Sequence, residues 1–323
     1  MRPSIQLACI LAAATLPAIA SAQDLRRGLV QADAVFVGRQ LGKKPHSDTV
    51  ALHRVQVLHS VRGLDQERAV TVLDWPKLSL HVRPTPRQSR LFCLQDASAV
   101  ATRLGLPQAQ GPYFKMVGWS GSHPLVQKDI ARDAAVRFAT ILAESERGIS
   151  AAITVPKLIA LATSNETSVR CEVTRFLAER KDLRSRIDSL QWSHLMTRAA
   201  GEADDIIYKI ALAELCAEQR LEGLLDALMV SLGPVTDPRY ARCVGRIGKL
   251  LHGEAATAKL AARLRMAASE PDRNMLLMAM GATNTKSALD ALMSMDKRSA
   301  PVAAALREHR APAAQDAVAR KKR

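Results

Sequence analysis

Leu221-Glu222-Gly223-Leu224-Leu225-Asp226-Ala227-Leu228-Met229-Val230-Ser231-Leu232 decides the class of the C-terminal half. Leu221, Leu224, Leu225, Leu228, Met229 and Leu232 recur at the alternating three- and four-residue steps that place side chains on one helix face. The same period begins just after Leu125. Ile130, Ala134, Phe138, Ile141 and Leu142 form one stripe, Val155, Leu158, Ile159 and Ala162 a second, and Val169, Val173, Phe176 and Leu177 a third. Tyr240, Cys243, Val244, Ile247, Leu250 and Leu251 make another. Proline in Asp237-Pro238 and Glu270-Pro271 is placed where helices start, since the first turn has no use for the missing N–H. Consecutive amphipathic helices are the reading.

The helices also repeat. Aligning Thr174-Leu177-Ala178, Leu212-Leu215-Cys216, Val244-Ile247-Gly248 and Leu277-Met280-Gly281 superposes apolar, apolar and small residues, with steps of 38, 32 and 33 residues between the small positions. Periods of this length point to stacked helix pairs, because one hairpin cannot bury its apolar face alone. Pro156 to Ala162, Ser164-Asn165-Glu166, Ser168-Val169-Arg170 and Phe176-Leu177-Ala178 resemble a HEAT repeat, including the Val-Arg pair that opens its first helix. Ile207-Tyr208 and Tyr240-Ala241 stand where later units would carry that pair. The resemblance implies a HEAT-like α-solenoid of about five hairpins over residues 126–298. An irregular helical bundle is the alternative.

Ahead of that, from Ala32 to Val117, the apolar residues come in short runs: Val35-Phe36-Val37, Val50 to Val57, Val70 to Leu73, Leu91 to Leu94 and Phe114 to Val117. Glycines and prolines punctuate them, which is strand and turn chemistry. In the longest run Val50 and Leu52 occupy even positions and Val55 and Val57 odd ones, so a bulge near His53-Arg54 is expected to keep both pairs on the core side. The order Ala32 to Gly38, Val55 to Gly63, Leu91-Phe92-Cys93-Leu94 and Val117-Gly118-Trp119 resembles the netrin-like, OB-type β-barrel modules of exported proteins, over residues 23–125. Some members of that family inhibit metalloproteases through a cysteine at the mature N-terminus. Gln23 takes that place here, so the inhibitory role is not implied. The expected class is α+β multidomain, a small barrel followed by a solenoid.

Arg2, an uncharged stretch from Ile5 to Ala20 and Ala20-Ser21-Ala22 before Gln23-Asp24 make residues 1–22 a signal peptide. The stretch is broken by Pro17 and falls short of the roughly 20 residues needed to span a bilayer. No later segment has 18 unbroken apolar residues. A bacterial-type exported protein, periplasmic or extracellular, with no membrane span, is expected. Cleavage leaves Cys93, Cys171, Cys216 and Cys243, too sparse for a disulfide scaffold and without a Cys-x-x-Cys pair for zinc or redox chemistry. Packing as small apolar residues suits their neighbours.

With 46 Lys plus Arg against 31 Asp plus Glu, the formal charge is +15, and 48% hydrophobic residues exclude long disorder. Residues 24–125 carry net +7, 126–300 only +3 and 301–323 +4. A near-neutral helical array lacks the basic stripe of a nucleic-acid binder, and Phe36 and Phe92 sit in core runs, so no nucleic-acid partner is expected. Lys43, Lys44, Arg83, Arg87 and Arg90 are the candidate binding residues for an anionic envelope polymer or lipid headgroup, with simple solubility as the bland explanation. Residues 299–323 read as a flexible basic tail.

Gly118-Trp119-Ser120-Gly121-Ser122-His123 is the one string resembling catalysis, yet Ser122 stands where a nucleophile elbow needs its last glycine. His46, His53, His59, His81 and His123 lack metal-ligand spacing and read as scattered, solvated side chains. His194 reads as a partly buried packing residue, and Glu202, Asp204 and Asp205 as helix capping. No catalytic, cofactor-binding or metal residue is assigned, and no cofactor is expected. The expected function is a non-enzymatic binding or scaffold protein whose solenoid surface contacts a partner protein. The alternatives are a basic barrel gripping an anionic polymer or lipid headgroup, and a hydrolase using Ser120 and His123.

Overall fold

The computed structural model describes residues 25–64, 67–75, 88–108, 112–117, 123–127, 129–201, 205–233, 235–296 and 298–310. The signal peptide expected over 1–22 lies outside them. Two compact units divide the chain, the first ending at Val173 and the second beginning at Thr174.

The first unit runs from helix α1 (25–31) through strands β1 (Ala34–Pro45), β2 (Ala51–Arg62), β3 (Ala69–Asp74) and β4 (Ser89–Asp96). Helix α2 (Ser98–Arg103) and strand β5 (Tyr113–Met116) follow, then a 3-10 turn (Ile130–Arg132) and helices α3 (Ala134–Glu146) and α4 (Ala151–Ala162). The strands close into a barrel in the order β1-β2-β3-β5-β4, antiparallel throughout except for the parallel β3–β5 pair. Phe36 and Phe92 stack at its centre with ring centroids 5.3 Å apart, ringed by Val55, Val70, Val72, Leu94, Phe114 and Met116.

β2 carries extra residues at Leu58 and Val61 rather than at His53-Arg54, and opposite His53-Arg54 the bulge lies on β1. β2 pairs with β3 without a shift from Ala51 to Gln56, whereas β1 skips a residue between Gln40, opposite Val55, and Gly42, opposite Arg54. Leu41 is the extra residue, and it is exposed. Leu52 and Val55 need not share a face, because both faces of β2 are covered there. Val55 enters the barrel, while Leu52 packs outside it against Leu73, Ala97, Ala101 and Tyr113, next to α2.

Beyond the last strand the first unit continues through α3, which packs on β2 and buries Val136, Phe138, Ile141 and Leu142. Asp133 starts that helix by accepting the Ala135 and Val136 amides at 3.0 and 3.2 Å. Arg62, at the end of β2, ties the pieces together. Its guanidinium donates to the carbonyls of Leu29 and Ala32, the latter at 2.7 Å, and to Glu146 Oε1 at 2.6 Å. The α4 stripe Val155, Leu158, Ile159 and Ala162 is buried as its spacing requires, although the helix begins at Ala151, ahead of Pro156.

Helix α5 (Thr167–Glu179) spans the division between units. The second unit continues with α6 (Lys181–Arg184), α7 (Ser189–Ala200), α8 (Ile206–Glu218), α9 (Leu224–Val230), α10 (Pro238–His252), α11 (Ala255–Arg265), α12 (Glu270–Thr283), α13 (Lys286–Ser294) and α14 (Ala300–Glu308). Within it α8, α10, α12 and α14 lie side by side in that order, and α7, α9 and α11 touch one another and pack against members of that row. Small residues allow the close approach. A Cβ on Gly245 would stand 2.1 Å from the Ala279 carbonyl oxygen of α12, and one on Gly281 would stand 2.1 Å from the Ala305 oxygen of α14. Leu224, Leu225, Leu228, Met229 and Leu232 are buried, as are Tyr240, Cys243, Val244 and Ile247, but Leu250 is half exposed.

The tail expected from residue 299 is corrected over its first part. Ala300–Glu308 is helical, with Val302, Ala303, Ala305 and Leu306 buried, and the His309 ring engages the Thr285 carbonyl through Nε2 at 3.0 Å. A run of alanines, Ala303 to Ala305, with only two larger apolar residues understates a helix whose partner surface is itself lined with small residues. Residues 311–323 lie outside the described residues. The four cysteines among the described residues, Cys93, Cys171, Cys216 and Cys243, are buried free thiols. His194 is exposed.

Candidate functional site

Among the five basic candidates, Lys43 and Lys44 stand exposed on the outer half of β1. Arg90 is opposite Gly38 in the β1–β4 ladder, five residues before Lys43, which separates it from the lysines by about 16 Å along the strand. Its guanidinium donates to the His123 carbonyl at 3.1 Å, and partial burial lowers its pKa from the ordinary arginine value. Arg83 and Arg87 lie outside the described residues. The described members thus divide between an exposed strand end and an arginine fixed to a loop.

That loop holds the histidine of the hydrolase alternative. His123 is 1% exposed. Its Nδ1 accepts the Cys93 amide at 3.2 Å, which leaves the proton on Nε2, and Nε2 donates to the Val117 carbonyl at 3.0 Å. With both ring nitrogens engaged by main chain, His123 offers no free lone pair to accept a proton from a serine. Ser120 lies outside the described residues.

His53 is the feature read differently from sequence. It is 1% exposed inside the end of the barrel, with Nε2 3.1 Å from Asp74 Oδ2. Ala51, His53 and Val55 share one parity on β2, and all three are buried. That alternation was a signal for an inward histidine, masked by placing a bulge at His53 itself. Nδ1 of His53 has no hydrogen-bond partner among the described residues.

The second unit buries a polar constellation of its own. Lys209, fully buried in α8, donates to the Gly201 carbonyl at the end of α7 and sits 4.8 Å from the centroid of the Tyr240 ring. The Tyr240 hydroxyl lies 2.6 Å from Ser231 Oγ, and burial drives its pKa well above the usual phenol value. Lys209 falls on the Leu212, Cys216 face at three- and seven-residue spacing, which could have marked it as inward. Burial pushes the thiols of Cys93, Cys216 and Cys243 up to about 12 each, so they are protonated at neutral pH and poor nucleophiles. Of the acidic trio before α8, Asp205 is the N-cap, accepting the Ile207 amide at 2.9 Å. Glu202 and Asp204 lie outside the described residues.

Outward, the second unit carries ion pairs: Arg239 with Asp237, Arg242 with Glu308, Arg246 with Glu214, and Lys259 with Asp226. Arg242 reaches from α10 to α14 through a forked contact, Nε and Nη2 to the two Glu308 oxygens at 2.8 and 2.7 Å. Leu190, Val230, Leu250 and Met266 are exposed apolar side chains of the same unit. No helix among the described residues is long and apolar enough to cross a membrane. Described residues also contain no cluster of three His, Cys, Asp or Glu able to hold a metal ion. No protein-family model, curated protein or solved structure matches the chain.

Proposed function

We propose that the protein is an exported, non-enzymatic binding or scaffold protein, made of an OB-type or netrin-like barrel and a HEAT-like α-solenoid whose surface contacts a partner protein. One observation carries the reading: α8, α10, α12 and α14 follow one another in a continuous row, with a second row of helices against it. Arrays of this kind expose a long surface without enclosing a reaction chamber. Exposed apolar residues such as Leu190, Val230 and Met266 are the contact-forming groups of this reading. The strand order β1-β2-β3-β5-β4 supports the OB-type assignment of the barrel.

Site-specific photo-crosslinking in the native envelope tests the reading. A crosslinking residue at Leu190, Val230 or Met266 should give one discrete adduct, and the same residue at Lys43 or Lys44 should not. Adducts only from the lysines would instead favour the barrel as the binding module, and none from any position would overturn the partner-protein reading.

A further inference from the structure

A groove in the first unit is built for a ligand of definite chemistry. Its free volume is about 350 Å³, at the lower end of what small-molecule sites enclose. Val136 and Ile141 on α3, 2% and 4% exposed, form the bottom of the groove, and exposed Ala131 adds an apolar wall. Thr140 lies between them, and its hydroxyl is engaged, donating to the Val136 carbonyl at 2.9 Å. His59 of β2 stands on the rim.

Charge on the rim is unequal. Glu144 is already held by Lys157, whose Nζ lies 2.7 Å from Oε2. Arg137 is different: it is exposed, and its guanidinium has no acceptor among the described residues. The acid and the lysine cancel, which leaves one uncompensated, forked cation above an apolar floor. A guanidinium matches a carboxylate through two parallel N–H donors. A purely apolar ligand would leave Arg137 unused, and a cation would meet its repulsion.

We propose that this groove binds a small amphipathic monocarboxylate, with its apolar body against Val136, Thr140 and Ile141 and its carboxylate on Arg137. Non-covalent association is all the site requires. The inference is independent of the helical docking surface, because every residue it uses precedes Val173.

The probe is decanoate, titrated calorimetrically into the full chain below its micellar range, with decylammonium as the charge-reversed control. Decanoate should bind one to one, and at least tenfold more tightly than decylammonium. Arg137→Glu should weaken decanoate at least tenfold, and since the side chain is exposed the variant should keep its circular dichroism spectrum. Thr140→Trp, which fills the groove, should abolish binding of both. No heat of binding by the folded protein up to millimolar decanoate would overturn the proposal. So would equal affinity for the two probes, or decanoate binding that Arg137→Glu leaves unchanged.

Discussion

Gly281→Ala is the sharpest test of how the helical row is held. The added Cβ would sit 2.1 Å from the Ala305 carbonyl oxygen and 2.8 Å from the carbonyl carbon. An ordinary carbon–oxygen contact is about 3.3 Å, so α14 must withdraw by about 1.2 Å. The obstacle is main chain inside a helix, and no rotamer change relieves it. Overpacking of this kind costs about 1–3 kcal/mol, here toward the upper end, while replacing a mid-helix glycine returns about 1 kcal/mol in propensity. A net loss of about 2 kcal/mol follows. Gly248→Ala is the control: its Cβ would meet Ala256 and Leu225 side chains at 3.3–3.5 Å, a contact that side chains can relax. That variant should fall between neutral and about 1 kcal/mol more stable. Melting followed by circular dichroism at 222 nm should place Gly281→Ala about 4–8 °C below wild type. Equal melting of the two variants would refute the close α12–α14 seam.

The remaining expectations concern charge and protonation. Thiols with folded pKa values of about 12 against a reference of 9.0 hold their protons more tightly when folded, so this contribution is full below pH 9 and is lost as pH rises toward 12. Each is worth about 4 kcal/mol at most, and urea midpoints measured from pH 8 to 11 should fall steeply; replacing Cys216 with Ala should flatten the fall. Arg62→Lys should destabilise the first unit by about 2 kcal/mol in urea unfolding, because one ammonium cannot serve two carbonyls and the Glu146 carboxylate together. Asp74→Ala should cost about 3 kcal/mol, and in a double-mutant cycle with His53→Ala the two losses should be far from additive.

Much of the architecture was legible because burial imposes a period. The helical stripes from Val155 to Ile247 were readable wherever one face meets the core, and the short runs from Val35 to Val117 marked the barrel strands. Parity failed at Leu52 because a barrel strand covered on its outer side by α2 has two apolar faces, so alternation no longer distinguishes in from out. The register of the repeats was only partly legible. Aligning Gly248 with Gly281 treats them as equivalent, yet the glycine of α10 that meets the next helix of the row is Gly245. Sequence spacing records which residues are small, whereas the crossing of two helices decides which small residue is at the contact.

The candidate sites were less legible for a related reason. His53, His123 and Lys209 are polar residues whose burial is tolerable only because a particular partner lies within reach: Asp74 for His53, the Cys93 amide and Val117 carbonyl for His123, and the Gly201 carbonyl and Tyr240 ring for Lys209. None of these pairings is local enough to leave a motif. Their common feature is chemical, since each of these three side chains is engaged by a particular neighbour. Arg137 is the converse case, a cation left without an acceptor among the described residues at the edge of a groove, and it was passed over because a lone arginine in a helix has no signature. What distinguishes it is the pairing of its neighbours. Once Lys157 has taken Glu144, Arg137 is the rim charge left for a ligand to meet.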